Sequence, residues 1–326
     1  MNVKLNALKI PKHTITLFLY KIFRTLLLLG LFYVVLYPLL HMLSNALNTV
    51  PMKDPGTVWI PDKIGLNNFK VAFAFLIYPK TFVFTFSLAA GSALLQIVTC
   101  SLTGYGLARF KFKYRSLFVG LVIFTIIVPP QTIVMPLYMG YRFFDVFGIL
   151  KIAGLIAGRD LTVNILNTPL TFWIPSLLGI GLRSGLFILI YRQFYAGIPL
   201  DLENAAKMDG CNHWGTYLRV MLPNARPALI TTFLLSFVWH WNDYHLSLLY
   251  FKSQNEPLSV RIHKFGFTFS GTSTMGGVTM TDYIGVQDLA KIMSAACILS
   301  VLPVLILYIF TQKYYTSIGT YAGIKG

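Results

Sequence analysis

Long apolar runs separated by short polar segments dominate the chain. Six stretches of about 20 residues hold one charged side chain or none, and this is the length needed to cross about 30 Å of hydrocarbon. Within a bilayer, runs of this length satisfy their backbone hydrogen bonds as helices. The pattern therefore predicts an all-α membrane protein with six transmembrane helices, within 25–43, 81–108, 116–141, 171–196, 228–251 and 292–312.

Two predicted spans carry an ionisable residue. Arg183 lies near the middle of the fourth span and Asp243 in the outer half of the fifth. Either charge, buried alone in hydrocarbon, costs about 2.5–3.5 kcal/mol. We therefore expect Arg183 and Asp243 to pair with each other or to contact cavity water separately. Alternatively, Arg183 and Asp243 hold transmembrane helices together and contact no cargo.

The third predicted span contains Pro129, Pro130 and Pro136. Proline removes a helical hydrogen bond and clashes with the preceding turn, so a bend is predicted in this span. The bend is either a structural kink or the lining of a cavity, where irregular backbone is tolerated at membrane depth.

Composition supports a membrane location. Hydrophobic residues make up 56% of the 326 residues and charged residues only 12%, with a mean hydropathy of +0.65, which is outside the range of soluble domains. The net charge of +16 does not indicate nucleic-acid binding, because the basic residues flank apolar spans, where they meet lipid headgroups. The three cysteines have no CxxC spacing, so neither a disulfide framework nor a zinc site is indicated.

Basic residues near the spans set the predicted orientation, because cytoplasmic segments retain positive charge. The link ARFKFKYR at 108–115 is the clearest marker. We predict a cytoplasmic amino-terminal tail at 1–22, a transmembrane domain at 23–312 and a cytoplasmic carboxyl-terminal tail at 313–326. The first apolar run is read as a retained anchor. The predicted outer loops are 44–80, 142–170 and 252–287, and the sequence assigns no role to 142–170.

The longest inner segment between spans, residues 197–227, is called the elbow. Pro199 suits the first turn of a short helix, and Gly210 suits the left-handed conformation that ends one. Helical spacing predicts a small apolar face on the first helix and a larger stripe on a second helix that Pro223 ends. Two short helices at a sharp turn suit docking better than catalysis. The first face comprises Leu202, Ala205 and Ala206, and the second Trp214, Tyr217, Leu218 and Met221.

The segment FVWHWNDYH at 237–245 concentrates aromatic and polar side chains on one span. Aromatic faces beside amide and carboxylate groups suit sugar rings, although interfacial aromatic belts have a similar composition. The histidines lack metal-ligand spacing, and no acid, base or nucleophile cluster indicates a catalytic site. Candidate cargo-pathway residues are Arg183, Trp239, Trp241, Asn242, Asp243 and Tyr244.

Residues 202–229, LENAAKMDGCNHWGTYLRVMLPNARPAL, resemble the EAA loop of the membrane subunits of binding-protein-dependent ABC importers. That loop is written EAAxxDG, followed by an apolar stretch and Leu-Pro. Residues 59–69, 191–203, 239–245 and 312–326 resemble the sugar-importer branch, and the last of these is similar to the end of the second maltose-permease subunit. The resemblance covers nearly the whole chain, least well at 142–170. It implies the type I permease fold, with a cytoplasmic coupling loop between spans four and five.

The resemblance implies half of a translocation pathway for sugars or oligosaccharides in the bacterial cytoplasmic membrane, with both termini cytoplasmic. It implies a second homologous permease subunit, two ATPase subunits and an extracytoplasmic solute-binding protein. No GxxxxGK[ST] phosphate loop occurs in the chain, so ATP and Mg are expected on the ATPase partners and no cofactor on this chain. The implied ATPase-coupling residues are Glu203, Asn204, Ala205, Ala206, Asp209, Gly210, Leu222 and Pro223.

One position departs from the family pattern. Asn204 stands where the EAA glutamate is expected, and Glu203 precedes it, about 100° around the helix. In the family that glutamate grips a basic residue of the ATPase. The sequence leaves open whether Glu203 takes over this contact or Asn204 replaces it with an uncharged hydrogen bond.

Three rival functions differ from a sugar importer. An importer of another small solute, such as a peptide or phosphate ion, is disfavoured by the WNDY region and the carboxyl terminus. An ion-coupled secondary carrier needs no cytoplasmic docking elbow. A membrane enzyme needs clustered reactive groups, and the 11 acidic residues are scattered. Whether the saccharide is acidic or neutral, and which permease subunit holds it, stays open at the level of sequence.

Overall fold

The protein is described from a computed structural model that covers residues 12–49, 61, 63–145, 148–158, 162–252, 255–268 and 286–322. Parts of five predicted segments lie outside the described residues. These are 1–11 of the amino-terminal tail, 50–60 and 62 of the first outer loop, 146–147 and 159–161 of the second outer loop, 253–254 and 269–285 of the third outer loop, and 323–326 of the carboxyl-terminal tail.

The regular structure of the described residues is helical, apart from two isolated β-bridges, which join Asn48 to Ile64 and Phe144 to Val163. A π-helical turn, Tyr217–Met221, lies between α10 and α11. The helices are α1 (Lys12–Leu47), α2 (Asn67–Phe75), α3 (Tyr78–Arg109), α4 (Arg115–Ile127), α5 (Pro130–Arg142), α6 (Ile149–Ala157), α7 (Leu170–Leu177), α8 (Ser184–Gly197), α9 (Leu200–Met208), α10 (His213–Thr216), α11 (Leu222–Asn224), α12 (Arg226–Trp241), α13 (His245–Tyr250), α14 (Leu258–Thr268) and α15 (Val286–Ala322).

The chain divides into two compact units, and the first comprises Met1–Ala72 and Met280–Ile298. Within it, the chain after α1 returns to the end of that helix. The Asn68 side-chain amide donates to the carbonyls of Ala46 and Asn48, at 3.0 and 2.9 Å. This buried amide satisfies carbonyls that the end of α1 leaves without helical partners and fixes the start of α2.

The second unit comprises Phe73–Thr279 and Leu299–Gly326, and α3 is its central helix. α3 packs against α7, α8 and α12. Its buried face repeats every three or four residues and carries small or polar side chains, which permit close helix approach and interhelical hydrogen bonds in a membrane. This face includes Thr81, Thr85, Ala89, Ser92, Gln96, Cys100, Ser101 and Gly104.

Three described helical segments are long and apolar enough to cross a bilayer: Leu17–Leu47, Tyr78–Arg109 and Leu289–Lys313. They match the first, second and sixth predicted spans. α1 begins at Lys12, so the helix starts within the predicted amino-terminal tail. Two bent helix pairs raise the count of candidate spans to five at most. The chain is a multi-pass helical membrane protein, and the six-span count stays a prediction.

The bend predicted in the third span is confirmed. α4 ends at Ile127, α5 begins at Pro130, and the two helices meet at 97°. Pro129 is extended, with ψ at 131°, as expected of a residue that precedes a proline. Pro136 lies within α5 and does not end it.

The fourth and fifth predicted spans are not continuous helices, which corrects the sequence prediction. α7 ends at Leu177 and α8 begins at Ser184, with the left-handed Gly179 (φ 74°) in the break. α12 ends at Trp241 and α13 begins at His245. Both ionisable residues therefore lie at helix breaks, where the backbone is irregular.

Candidate functional site

The elbow has the two-helix form that the sequence predicts. α9 follows Pro199, and Gly210 adopts the predicted left-handed conformation with φ at 82°. The second arm consists of α10, the π-helical turn and α11. The Asn212 side chain caps α10 by accepting a hydrogen bond from the Gly215 amide at 2.7 Å.

Glu203 anchors the elbow to the end of α3. Its carboxylate lies 3.3 Å from Arg109 Nε, and the two side chains are only 5% and 6% exposed. The Arg109 guanidinium also donates from Nη2 to the Ile198 carbonyl at 2.6 Å. Lys207 contacts the same carboxylate at 3.0 Å from the solvent side, and the Tyr105 hydroxyl lies 3.5 Å away. The buried Glu203 carboxylate therefore joins the elbow to the end of α3.

Glu203 and Asn204, the altered position of the EAA triplet, face in different directions. The Glu203 side chain faces α3, whereas Asn204 is exposed. Residues one position apart point about 100° apart on a helix, and the Glu203 carboxylate contacts Arg109. The outward position carries an uncharged amide.

The predicted apolar face of α9 is divided. Ala206 is buried together with Glu203, whereas Leu202 is 45% exposed and Ala205 is also exposed. The carboxylate, recruited inward by Arg109, sets which side of α9 packs against the protein. Asp209 and Gly210 lie on the exposed side of the elbow.

The predicted stripe of the second arm is also divided. Tyr217 and Met221 are buried, whereas Trp214 is 64% and Leu218 54% exposed. A π-helical turn contains more residues than an α-helical turn. Side chains that would share one face of a regular α-helix therefore point in different directions here. Pro223 lies in the first turn of α11, and the arm ends at Asn224, one residue later than predicted.

Replacing Asn212 with alanine should loosen the second arm. Removing an N-cap oxygen costs about 1 kcal/mol, so limited proteolysis of the purified protein should cut the elbow several-fold faster. Asn224→Ala is the matched control, because its amide donates to a carbonyl within the same arm and caps nothing. Equal cleavage rates in both variants would contradict this role for Asn212.

A cavity of about 520 Å³ lies where the helix breaks meet in the second unit, and four of the six candidate pathway residues line it. These four are Arg183, Trp239, Asn242 and Asp243. Leucine, valine and proline side chains form most of the remaining wall. The complete lining is Pro130, Gln131, Val134, Leu182, Arg183, Trp239, Asn242, Asp243, His245, Leu246, Leu248 and Leu249.

The other two candidates lie away from this cavity. Trp241 is 1% exposed, and its indole N–H donates to the Ser300 carbonyl at 3.1 Å. The ring of Tyr244 packs on His263 at a centroid distance of 4.0 Å. Both contacts belong to the packing of the protein, and a pathway role for these two side chains stays a prediction.

Arg183 and Asp243 line the same cavity but do not form the ion pair considered from sequence. Within the described part of the chain Arg183 makes no ion pair, and its guanidinium carbon lies 4.5 Å from the Trp239 ring centroid. Asp243 accepts a hydrogen bond from the Ser247 amide at 2.8 Å. That bond satisfies a donor in the first turn of α13, so the carboxylate is held by its own segment.

A buried polar network lies behind the cavity. The Gln96 side-chain amide donates to the Leu182 carbonyl at 2.8 Å and to the Ser184 hydroxyl at 2.9 Å. Ser236 of α12 donates to the Gln96 side-chain oxygen at 2.5 Å. His240 Nδ1 lies 2.8 Å from the Ser236 carbonyl. One glutamine of α3 thus joins α8, α12 and the turn before Arg183.

The cavity includes residues that sequence reasoning did not assign to a site, notably Gln131, Leu182 and His245. The double proline before Gln131 was the available signal, since a bend at membrane depth is tolerated where it lines a cavity. No comparable signal singled out Leu182. Among the described residues, no group of three or more His, Cys, Asp or Glu side chains is placed to hold a metal ion.

The helical membrane fold, the elbow on its anchoring helix and the cavity at broken spans agree with a match to a known family. Residues 100–322 match the binding-protein-dependent transport system inner membrane component family. The chain belongs to this family. It is therefore the membrane permease component of an ABC-type transport system, and ATP hydrolysis is performed by a separate subunit.

Curated relatives match over nearly their full length. The chain is 26% identical to the arabinooligosaccharides transport system permease protein AraQ of Bacillus subtilis, over 97% of this chain and 99% of that protein. It is 26% identical to the sulfoquinovosyl glycerol transport system permease protein SmoH of Agrobacterium fabrum, over 89% of each.

A solved structure shares the fold. It is a chain of a bacterial ABC transporter involved in the import of the acidic polysaccharide alginate. The TM-score is 0.68 at 19% sequence identity, with 91% of this chain and 96% of that chain covered. The likeness establishes the architecture of the permease.

Proposed function

We propose that the protein is a permease subunit of an ATP-driven, binding-protein-dependent importer of sugars or oligosaccharides. It pairs with a second homologous permease subunit, two ATPase subunits and an extracytoplasmic solute-binding protein. The family supports the transport class, and the saccharides named for its relatives support the cargo class. The relatives match over most of their own length.

The elbow receives an ATPase subunit. The observation that carries this proposal is the buried Arg109–Glu203 ion pair, which fixes the elbow to α3 while its outer surface stays uncovered. Met208 and Trp214 on that surface are 84% and 64% exposed. Exposed apolar side chains on a rigid projection mark a protein-binding surface. Movement of the bound ATPase would then be transmitted to α3.

The proposed topology follows from this docking. The elbow faces the cytoplasm together with both terminal tails, 1–22 and 313–326, in the bacterial cytoplasmic membrane. The outer loops face the solute-binding protein. The cavity lies between, and it forms part of the pathway that alternates between inward and outward access.

Charge placed on the exposed elbow surface should prevent assembly with the ATPase. In the complex purified with all its subunits, Met208→Glu is expected to reduce the ATPase recovered with the permease at least about tenfold, because a carboxylate buried unpaired at an interface is costly. Leu155→Glu in α6 is the matched control, since Leu155 is also 84% exposed and lies in the predicted outer loop.

Vesicle transport assays complete this test. Saccharide uptake should require ATP and the ATPase subunits, and it should fall with Met208→Glu. Uptake that persists without any ATPase subunit would instead identify a secondary carrier. Full ATPase recovery with Met208→Glu would remove the elbow as the docking surface.

A further inference from the structure

We propose that Arg183 forms a binding site for the anionic group of an acidic saccharide, with the carboxylate of a uronic acid as the ligand chemistry. The proposal rests on the saccharide-importer function given above and adds a cargo class and a residue. Four features of the cavity carry the argument: the conformation of Arg183, the network that fixes it, its uncompensated charge and the apolar walls.

The Arg183 backbone is held in a conformation that arginine rarely adopts. Its φ of 58° and ψ of 21° lie in the left-handed region, which is strained for a residue with a Cβ. Such a conformation persists only when surrounding contacts impose it. Here it turns the chain into α8 and places the Arg183 side chain on the cavity wall.

Gln96 imposes that conformation. It is fully buried, and its amide holds both residues flanking Arg183, at the Leu182 carbonyl and the Ser184 hydroxyl. Ser236 in turn fixes the Gln96 oxygen. Gln96 is therefore a positioning residue, because its hydrogen bonds hold the residues on both sides of Arg183.

The Arg183 charge is not neutralised by the described protein. Its guanidinium packs over Trp239, which is itself stacked on Phe187 at a centroid distance of 5.4 Å and 24° between the rings. The cation–π contact orients the guanidinium but supplies no counter-charge. Asp243, the one carboxylate of the cavity wall, is held at α13 by the Ser247 amide.

A carboxylate on the cargo supplies the counter-charge that Arg183 lacks. Guanidinium and carboxylate form two parallel charge-assisted hydrogen bonds, and Arg183 is exposed, so its guanidinium is accessible to such a ligand. The same walls suit the C–H faces of a pyranose ring. The volume of about 520 Å³ lies within the range of small-molecule sites. A neutral hydroxyl would leave the charge of Arg183 without compensation.

The test is vesicle transport by the complete complex in phosphatidylcholine, which excludes anionic lipid as a competing ligand. Trigalacturonate is compared with its fully methyl-esterified form, which has the same rings and no charge. The solute-binding protein is the same throughout, so the ratio of variant to wild-type rate for each cargo isolates the permease. Arg183→Gln should lower trigalacturonate transport at least about tenfold, as expected for hydrogen bonds to a charged group, and ester transport less than about twofold.

Two further variants sharpen the assay. Arg142→Gln is the matched control, because its guanidinium also lies over an aromatic ring, that of Phe143 at 5.5 Å, and outside the cavity lining. It should change neither rate. Arg183→Lys keeps the charge but not the planar fork, so it should lose part of the trigalacturonate rate. If Arg183→Gln fails to assemble, the two cargoes are compared in Arg183→Lys instead.

The outcomes separate this inference from the proposed function. A selective loss of the acidic cargo supports the Arg183 site. An equal loss of both cargoes, with normal ATPase activity, assigns Arg183 a structural role and overturns the inference alone. A wild-type complex that moves neither cargo but takes up a neutral oligosaccharide overturns the Arg183 site and leaves the saccharide function standing, whereas uptake of no saccharide in the presence of ATP and the binding protein overturns both.

Discussion

Glu203→Ala should destabilise the permease more than any other carboxylate change in the elbow. The substitution leaves Arg109 buried, 6% exposed, without its counter-charge. Breaking a buried ion pair from one side costs about 3–5 kcal/mol. The thermal unfolding midpoint of the purified complex in detergent should fall, and ATP hydrolysis should become uncoupled from transport because the elbow is no longer held against α3.

Asp201→Ala is the control for this experiment. Asp201 lies in the same first turn of α9 but is exposed, and exposed charge contributes little. A double variant with Arg109→Met and Glu203→Leu should recover part of the lost stability, since it removes both buried charges. Equal midpoints for Glu203→Ala and Asp201→Ala would show that the ion pair does not anchor the elbow.

Gly104→Ala should separate α3 from α8. A Cβ at this position would lie 2.5 Å from Tyr191 Cβ, 3.0 Å from the Arg192 nitrogen and 3.1 Å from the Ile188 oxygen. Two of these atoms are backbone, so a change of rotamer does not relieve the contact. Overpacking of this kind costs about 1–3 kcal/mol, and we expect a lower unfolding midpoint and a lower transport rate.

Gly106→Ala is the control within the same helix. Its Cβ would meet only Phe110 Cδ2, at 3.9 Å, which is an ordinary contact distance. Alanine is favoured over glycine within a helix by about 1 kcal/mol, so this variant should be unchanged or more stable. A Gly104→Ala protein as stable as Gly106→Ala would show that the contact between α3 and α8 relaxes easily.

Features fixed by local backbone chemistry were predictable from sequence. The bend at Pro129 and Pro130 follows from missing donors and steric clash, and the left-handed Gly210 follows from the absence of a Cβ. The three long spans follow from the length of apolar sequence that a bilayer requires. None of these depends on a distant partner.

Features fixed by distant partners were not predictable. The inward direction of Glu203 depends on Arg109, which belongs to another helix. The divided stripe of the second arm depends on a π-helical turn, which a period of 3.6 residues does not anticipate. The break before Arg183 had a local signal in Gly179 and Gly181, but hydropathy alone predicted one continuous span.

The cavity is also a product of tertiary structure. Arg183 and Asp243 stand in separate spans, and the sequence offered a mutual ion pair as the simplest way to offset two intramembrane charges. In the structure Arg183 packs over the Trp239 ring and Asp243 accepts a hydrogen bond from the first turn of α13. Sequence placed Arg183 near the middle of the fourth span and Asp243 in the outer half of the fifth, but it did not indicate which contacts each would make.

α3 contacts both the elbow and the turn before Arg183, and this has a mechanical consequence. Arg109 grips the elbow through Glu203, and Gln96 holds the turn that presents Arg183. At 1.5 Å per residue the two points are separated by about 20 Å along a continuous helix. If the elbow binds the ATPase and Arg183 binds the cargo as proposed, a movement imposed at the elbow would reach Arg183 through one continuous helix.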